Sequence, residues 1–371
     1  MRVAVLGGGM AGASIAYELS ESTDVILIER EAELATHTTG RSAAMYLASY
    51  GNETVRRLTA ASRSDFDQLE RTLATPPLLA PRPLLWVADA DPDSTSGLAM
   101  AEAAGARRID VDQAWQLWPA LRPERLAAAA IDDEAMDIDV LGLHQGYVRQ
   151  FRSRGGEIIR SARGTVRRHG DGWSIGSGSG EVTVDVVVNA GGAWADEIAV
   201  GAGVHPVGLR PLRRTLFTSP VQWPTPIEGW PLLVDTAERW YLKPESGGQV
   251  LGSPADETHS EPCDARPDPL DVARAIDDIN DAVSLGLRSV RRAWAGLRTF
   301  AADRSPVVGY AADAPGFFWF AGQGGYGIQM APALARVGAA LLLDGNLPDD
   351  VAVRGVTTFC LSPERLGGAD R

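Results

Sequence analysis

The spacing of Gly7, Gly9 and Gly12 near the start of the chain, in the string Gly7-Gly8-Gly9-Met10-Ala11-Gly12, restricts what the first segment can become. They stand between an apolar run, Arg2-Val3-Ala4-Val5-Leu6, and a stretch of helical apolar spacing over residues 10–20. A strand that turns on glycine into a helix lets backbone amides approach a pyrophosphate at the positive end of the helix dipole. Glu29 closes the next apolar run, 20 residues beyond Gly9, where a carboxylate can accept ribose hydroxyls. The triplet alone is a weak signal. With a strand before it, a helix after it and an acid at that distance, it predicts a dinucleotide-binding βαβ unit in an α/β fold, and a solvated Glu29 after an ordinary glycine turn is the weaker alternative.

The rest of the chain leaves room for more than this unit, because 371 residues at 45% hydrophobic composition suffice for two or three domains. A formal charge of -13 repels phosphate backbones over most of the surface, so no nucleic-acid partner is expected. The N-terminus enters a strand pattern without a basic n-region or a long apolar stretch. A cytoplasmic protein without a transmembrane segment is the expectation. Cys263 and Cys360 lack CxxC spacing and nearby histidines, which supports neither a disulfide framework nor a metal site.

Breaks in texture divide the chain. The run Thr75-Pro76-Pro77-Leu78-Leu79-Ala80-Pro81-Arg82-Pro83 cannot lie inside a helix and reads as a crossing into another domain. Asp139 is placed to cap a helix that ends at Gly155-Gly156, and Val182-Thr183-Val184-Asp185-Val186-Val187-Val188 reads as one buried strand. Residues 205–291 read as strand-rich. The predicted architecture is a two-domain α/β chain: a Rossmann-like domain from residues 1–74, 138–204 and 292–371, interleaved with a mixed-sheet domain from residues 75–137 and 205–291.

Near the other end of the chain, Phe317-Phe318-Trp319-Phe320-Ala321 leads into Gly322-Gln323-Gly324-Gly325-Tyr326-Gly327 and a helix expected over residues 328–343. A second strand, glycine loop and helix favours FAD over NAD, because a helix end aimed at the isoalloxazine would stabilise the negative charge that develops on reduction.

With these segments in place, the chain resembles the glycine and D-amino acid oxidase (DAO) family of flavoproteins, nearest to its D-arginine dehydrogenases. The resemblance is carried by residues 7–12, Glu29-Arg30-Glu31, Thr39-Gly40-Arg41-Ser42-Ala43-Ala44, residues 78–83, Tyr241-Leu242-Lys243-Pro244, Trp294-Ala295-Gly296-Leu297-Arg298 and residues 323–329. It implies a substrate-domain sheet that roofs a noncovalently bound FAD, since neither cysteine stands ahead of the last glycine loop. The FAD contacts it implies fall on Gly7, Gly9, Ala11, Gly12, Glu29, Arg30, Thr38, Thr39, Gly40, Arg41, Ser42, Ala43, Ala44 and Met45. They continue with the backbone of Val166 and with Gly324, Gly325, Tyr326, Gly327, Ile328 and Gln329.

For the substrate, Arg214 and Arg298 match a carboxylate clamp, a role suited to the bidentate guanidinium. Tyr50 and Tyr241 match pocket tyrosines, Gly325 offers its carbonyl to the amine, and no side chain is assigned as a base. His37 reads as a loop-bonding histidine. The implied reaction is oxidative deamination of a small-molecule amino acid, most simply a D-amino acid, by hydride transfer to flavin N5. The nearest relatives carry histidine at Met45, threonine at Leu47 and glutamate at Thr75, so a neutral or apolar side chain is expected in place of a cationic one. No lysine occurs in Gln249-Val250-Leu251-Gly252, where sarcosine-oxidising relatives activate oxygen. A dehydrogenase passing electrons to a quinone or another carrier is therefore preferred over one using O2. The rivals are a 2-hydroxy acid dehydrogenase, a glycine/sarcosine-type amine oxidase and a noncatalytic flavin-binding protein.

Overall fold

A computed structural model describes residues 1–176 and 180–367. The first βαβ unit forms as the glycine pattern requires: Arg2–Leu6, the helix Met10–Leu19 and Asp24–Ile28, with the two strands parallel. These strands are the centre of a six-stranded sheet in the order Val307–Tyr310, Phe317–Ala321, Val186–Asn189, Arg2–Leu6, Asp24–Ile28, Glu157–Ile159. Its strands are apolar along almost their whole length because both faces are covered. Helices including Met10–Leu19, Glu53–Thr72 and Ala331–Leu343 cover one face, and a three-stranded antiparallel sheet, Thr165–His169, Gly172–Gly176 and Glu181–Val184, helps to cover the other.

The expected single strand over residues 182–188 is two strands in two sheets. They divide at Asp185, whose Oδ2 accepts a hydrogen bond from Arg2 N at 2.7 Å. The helix expected over residues 328–343 starts at Ala331, three residues later, with Pro332 in its first turn. The region expected to be strand-rich also holds the helix Pro269–Ala282, capped by Asp268, whose side chain accepts from Leu270 N. Val272, Ala275 and Ile279 form its buried stripe, a helical spacing present in the sequence.

The second large sheet has nine strands, with Leu84–Ala88, Leu232–Asp235, Tyr241–Glu245, Gln249–Ser253 and Arg210–Pro220 adjacent in that order. Arg292–Phe300, placed by the sequence in the cofactor domain, pairs along its own full length with residues 210–218 of the Arg210–Pro220 strand and so belongs to this sheet. Side chains alternate across the sheet. Leu85, Val87, Phe217, Leu233, Leu242 and Val250 pack in one core with Ala114 and with Val272, Ala275 and Ile279 of the Pro269–Ala282 helix. Leu84, Trp86, Leu216, Leu232, Val234, Tyr241 and Leu251 face the other way and line a chamber. Among the described residues, no helix is long and apolar enough to cross a membrane.

One acid behind the parallel sheet makes folding pH-dependent. Burial pushes the Glu18 carboxyl up to about 7, against the opposing pull of Arg336 and Arg154. An unfolded glutamate titrates near about 4.3. The folded state therefore holds the extra proton between these values, and this contribution to stability is full below the lower one and lost as pH rises through about 7. Glu18→Gln is expected to raise Tm above wild type at pH 8 and to leave it unchanged near pH 4.5. Equal Tm differences at both pH values would contradict this.

Candidate active site and cofactor cavity

The amino-terminal glycine loop is fixed from three sides. Gly8 N donates to Glu29 Oε2 at 2.6 Å, and Glu31 N donates to Glu29 Oε1 at 2.8 Å, which locks a carboxylate only 7% exposed. Thr39 Oγ1 accepts from Met10 N at 2.9 Å, and His144 Nε2 donates to Gly8 O at 3.0 Å. A carbonyl can only accept, so that nitrogen carries the proton. Burial lowers the His144 pKa, with the Gly8 bond opposing, and the ring acts as a neutral strut. Gly12 admits the close approach of helix to strand, since a Cβ there would stand 1.7 Å from Gly7 O.

In front of this loop lies a cavity of about 650 Å3, running from Glu29 and Arg30 past Gly9 and Ala11 to Gly324, Gly325 and Gly327. Thr38, Thr39, Ser42, Val166, Ile328 and Gly7 also line it. Arg30 lies over the Trp194 ring at 4.5 Å. His37 bonds Glu31 at 3.0 Å, and this bond holds the Glu31 carboxyl below its usual range.

Several expected FAD contacts lie elsewhere. Gly12 and Gly40 are packing positions, Gly40 because a Cβ would meet Ala35 O at 2.3 Å. Arg41 points to the substrate sheet, donating to Ala265 O, Ala295 O and Asp264. Tyr326 is buried against Tyr50 and Phe300. Ala43, Ala44, Met45 and Gln329 line a second, smaller chamber and not the large cavity.

That chamber, of about 130 Å3, lies under the nine-stranded sheet. Arg298, Gly325, Thr38, Ser42 and Ile328 line both spaces. All the residues expected around the substrate (Arg214, Arg298, Tyr241, Tyr50, Gly325 and Met45) line it. Arg214 stands opposite Gly296 and Arg298 opposite Leu212 in one antiparallel pair, which puts the two arginines diagonally on one face. Arg213, on the other face, is consumed by Asp256 and Asp271 at 3.0 and 2.6 Å.

The two chamber arginines differ. Arg214, 7% exposed, already bonds Asp256 O at 2.9 Å and reaches Glu257 at 3.4 Å. Glu257 is shared with Arg304, and although burial raises its pKa, the Arg304 bond and the nearby arginine charges outweigh that and hold the carboxyl below its usual range. Among the described residues, Arg298 has no hydrogen bond or ion pair. Burial disfavours its charge, yet Tyr241, Tyr50, Tyr326 and Glu257 outweigh that and raise its pKa. A Cβ on Gly325 would stand 3.0 Å from the guanidinium carbon, so the glycine lets Arg298 lie against the loop.

Lys243 also lines the chamber, but its ammonium is held by Asp137 and Glu245, each at 3.1 Å. Thr75 does not line it; it packs beside Gly146 of the Val140–Ser153 helix, so its identity does not bear on substrate preference. Sequence reasoning missed His144, Trp86, Glu238, Glu257, Thr299 and Gln323. Strand alternation around Leu84–Ala88 was the available signal for Trp86, whereas nothing local marks the others.

The large cavity fits a dinucleotide on its own terms. Three buried side-chain atoms without a hydrogen-bond partner among the described residues, His37 Nδ1, Thr299 Oγ1 and Gln323 Nε2, belong to residues on its wall. Buried polar groups are rarely left unpaired, so they call for a polar ligand. Neither cysteine lines the cavity.

The fold and site define a flavoprotein oxidoreductase. The profile of the DAO family, FAD dependent oxidoreductases, matches residues 2–341, and the chain belongs to that family. FAD is its cofactor. The bovine (Bos taurus) FAD-dependent oxidoreductase domain-containing protein 1 is 26% identical over 408 residues, covering 93% of this chain and 81% of the relative. L-Proline dehydrogenase from P. horikoshii superposes with TM-score 0.83 at 19% identity over 99% of this chain and 97% of the other. Glycine oxidase from Geobacillus kaustophilus superposes with TM-score 0.81 at 19% identity over 96% and 99%.

Proposed function

We propose that this protein oxidises the carbon–nitrogen bond of an amino acid, a D-amino acid with a neutral or apolar side chain, as a dehydrogenase. The observation that carries this reading is the unpartnered Arg298 guanidinium at the junction of the cofactor cavity and an apolar chamber. A cation in that position requires an anion, and an α-carboxylate bound there brings the adjacent carbon to the cofactor side. Similar structures include an iminodiacetate oxidase and an L-amino acid deaminase, which supports amine chemistry on this fold.

In this reading the amides of Gly9 and Ala11 would hold the pyrophosphate, Glu29 the ribose, and Gly324, Gly325, Gly327 and Ile328 would border the ring. Bound there, a flavin would supply a two-electron acceptor for the α-hydrogen of the substrate. Arg298, assisted by Arg214, clamps the carboxylate, while Met45, Leu84, Leu216, Leu232 and Val234 exclude water around the side chain. No histidine lines the chamber, so the substrate reacts as its neutral amine, leaving an imino acid that water hydrolyses to a 2-oxo acid and ammonia. The same lack of histidine disfavours a 2-hydroxy acid, which needs a base for its hydroxyl. Leu251 on the Gln249–Ser253 strand faces the chamber where an oxygen-activating lysine would stand, which favours an acceptor other than O2.

Anaerobic mixing of the yellow holoenzyme with D- and L-leucine, D- and L-methionine, sarcosine and D-lactate tests the proposal. Bleaching by the D-amino acids is expected, with slow reoxidation in air. Bleaching by lactate alone would overturn it.

A further inference from the structure

Among the described acidic residues, only Glu238 lines the small chamber. It stands in the turn that joins Leu232–Asp235 to Tyr241–Glu245, with a backbone φ of +55°. Side chains of L-residues rarely occupy that left-handed region, where glycine or asparagine is favoured. The turn leaves no freedom to relax it. Asp235 N donates to Trp240 O at 3.1 Å, Glu238 N to Asp235 O at 2.9 Å, and Thr236 Oγ1 to Ser94 O at 2.8 Å. Next door, Arg239 is turned onto Asp235 and Asp89 at 2.7 and 2.8 Å. The nearest cation in sequence is thus committed elsewhere, and the Glu238 carboxylate, on an exposed residue at the chamber wall, has no hydrogen bond or ion pair among the described residues and keeps its charge open to solvent and to a bound substrate.

The other charges of the chamber sharpen its position. Lys243 is neutralised by two carboxylates, Arg41 is bound to Asp264, and Arg214 is partly engaged by Glu257. Arg298 is left for the α-carboxylate. A second carboxylate on the substrate would find no free cation and would meet the charge of Glu238. A rigid, strained position bearing an unpaired charge on a binding chamber is where function outweighs local stability.

We propose that Glu238 is the charge filter of the substrate chamber, disfavouring side chains that carry a carboxylate and favouring neutral or cationic ones. This rests on the amino-acid reading above and assigns it a residue that selects the side chain.

The test uses racemic pairs matched in shape and differing in charge: glutamate against glutamine, and lysine against norleucine. Rates of anaerobic flavin reduction are compared in wild type and Glu238→Gln. The glutamine-to-glutamate ratio is expected to fall about five- to tenfold in the variant, as is the lysine-to-norleucine ratio, from the Coulomb energy of one partly solvated charge. Both ratios of the wild type should shrink in 0.5 M salt, and those of the variant should not. A second readout avoids turnover: quenching of tryptophan fluorescence, with Trp86 and Trp240 on the wall, reports the Kd of glutarate against its monoamide, and the same ratio change is expected. A purely structural role would shift all substrates together. Flavin bleaching by amino acids with both ratios unchanged in Glu238→Gln overturns the filter alone; no bleaching by any amino acid in wild type overturns the functional reading and the filter with it.

Discussion

Arg298→Met is expected to lower kcat/KM for the best amino acid by roughly 30- to 5,000-fold, the consequence of removing one partner from a desolvated charge pair worth about 2–5 kcal/mol. The effect is so large because Arg298 is the chamber cation with no partner of its own among the described residues, whereas Arg214 is already bonded to Asp256 O and reaches Glu257. The variant should still bind FAD and keep its flavin spectrum, because the Arg298 guanidinium makes no side-chain hydrogen bond or ion pair among the described residues on which the fold depends. Arg298→Lys should restore part of the loss, since an ammonium supplies the charge without the bidentate fork. Steady-state kinetics with the flavin content measured beside them decide the matter. A loss below threefold in Arg298→Met would place the carboxylate elsewhere. Arg214→Met is expected to cost less in binding and to disturb the Glu257 and Arg304 pair as well.

Gly12→Ala is expected to yield protein without bound flavin, and a fold destabilised by at least about 3 kcal/mol, the upper range for overpacking a close interior contact. The added carbon would stand 1.7 Å from Gly7 O, and both neighbours are backbone, one in the helix and one at the strand end. Neither can yield without moving the helix end off the sheet and with it the amides that face the cofactor cavity. Gly229→Ala serves as the control: its Cβ meets nothing within 4 Å and it lines neither the cavity nor the chamber, so it should keep flavin and Tm. Flavin absorbance and thermal unfolding measure both variants. A yellow, fully stable Gly12→Ala protein would contradict the packing.

How much of this was legible in the sequence depended on how local the physics was. The glycine loop, Glu29, the Asp139 cap and the paired glycines after it were readable because each is a short-range rule of backbone geometry. The boundary at residue 292 failed for the opposite reason. Arg292–Phe300 has the alternation of any half-buried strand, and only its partner, Arg210–Pro220, tells which sheet it joins. The strand expected over residues 182–188 failed at Asp185, where a long-range bond to Arg2 turns the chain between sheets. Thr75 was misplaced by analogy along the sequence, which carries no information on which way a residue after the Glu53–Thr72 helix will face.

The sequence by itself determined the cofactor class, because the glycine loop and its acid are short strings with local backbone requirements, and the resemblance carried by Trp294-Ala295-Gly296-Leu297-Arg298 singled out Arg298 as a candidate. Tertiary structure decided the rest of the site. It set Arg214 diagonally beside Arg298, left one of them paired and the other free, moved Arg41, Gly40 and Tyr326 off the cofactor wall, and brought Glu238 to the chamber. These are properties of strand register and of competition among distant charges for partners, and no segment of the chain contains them until the two sheets have packed.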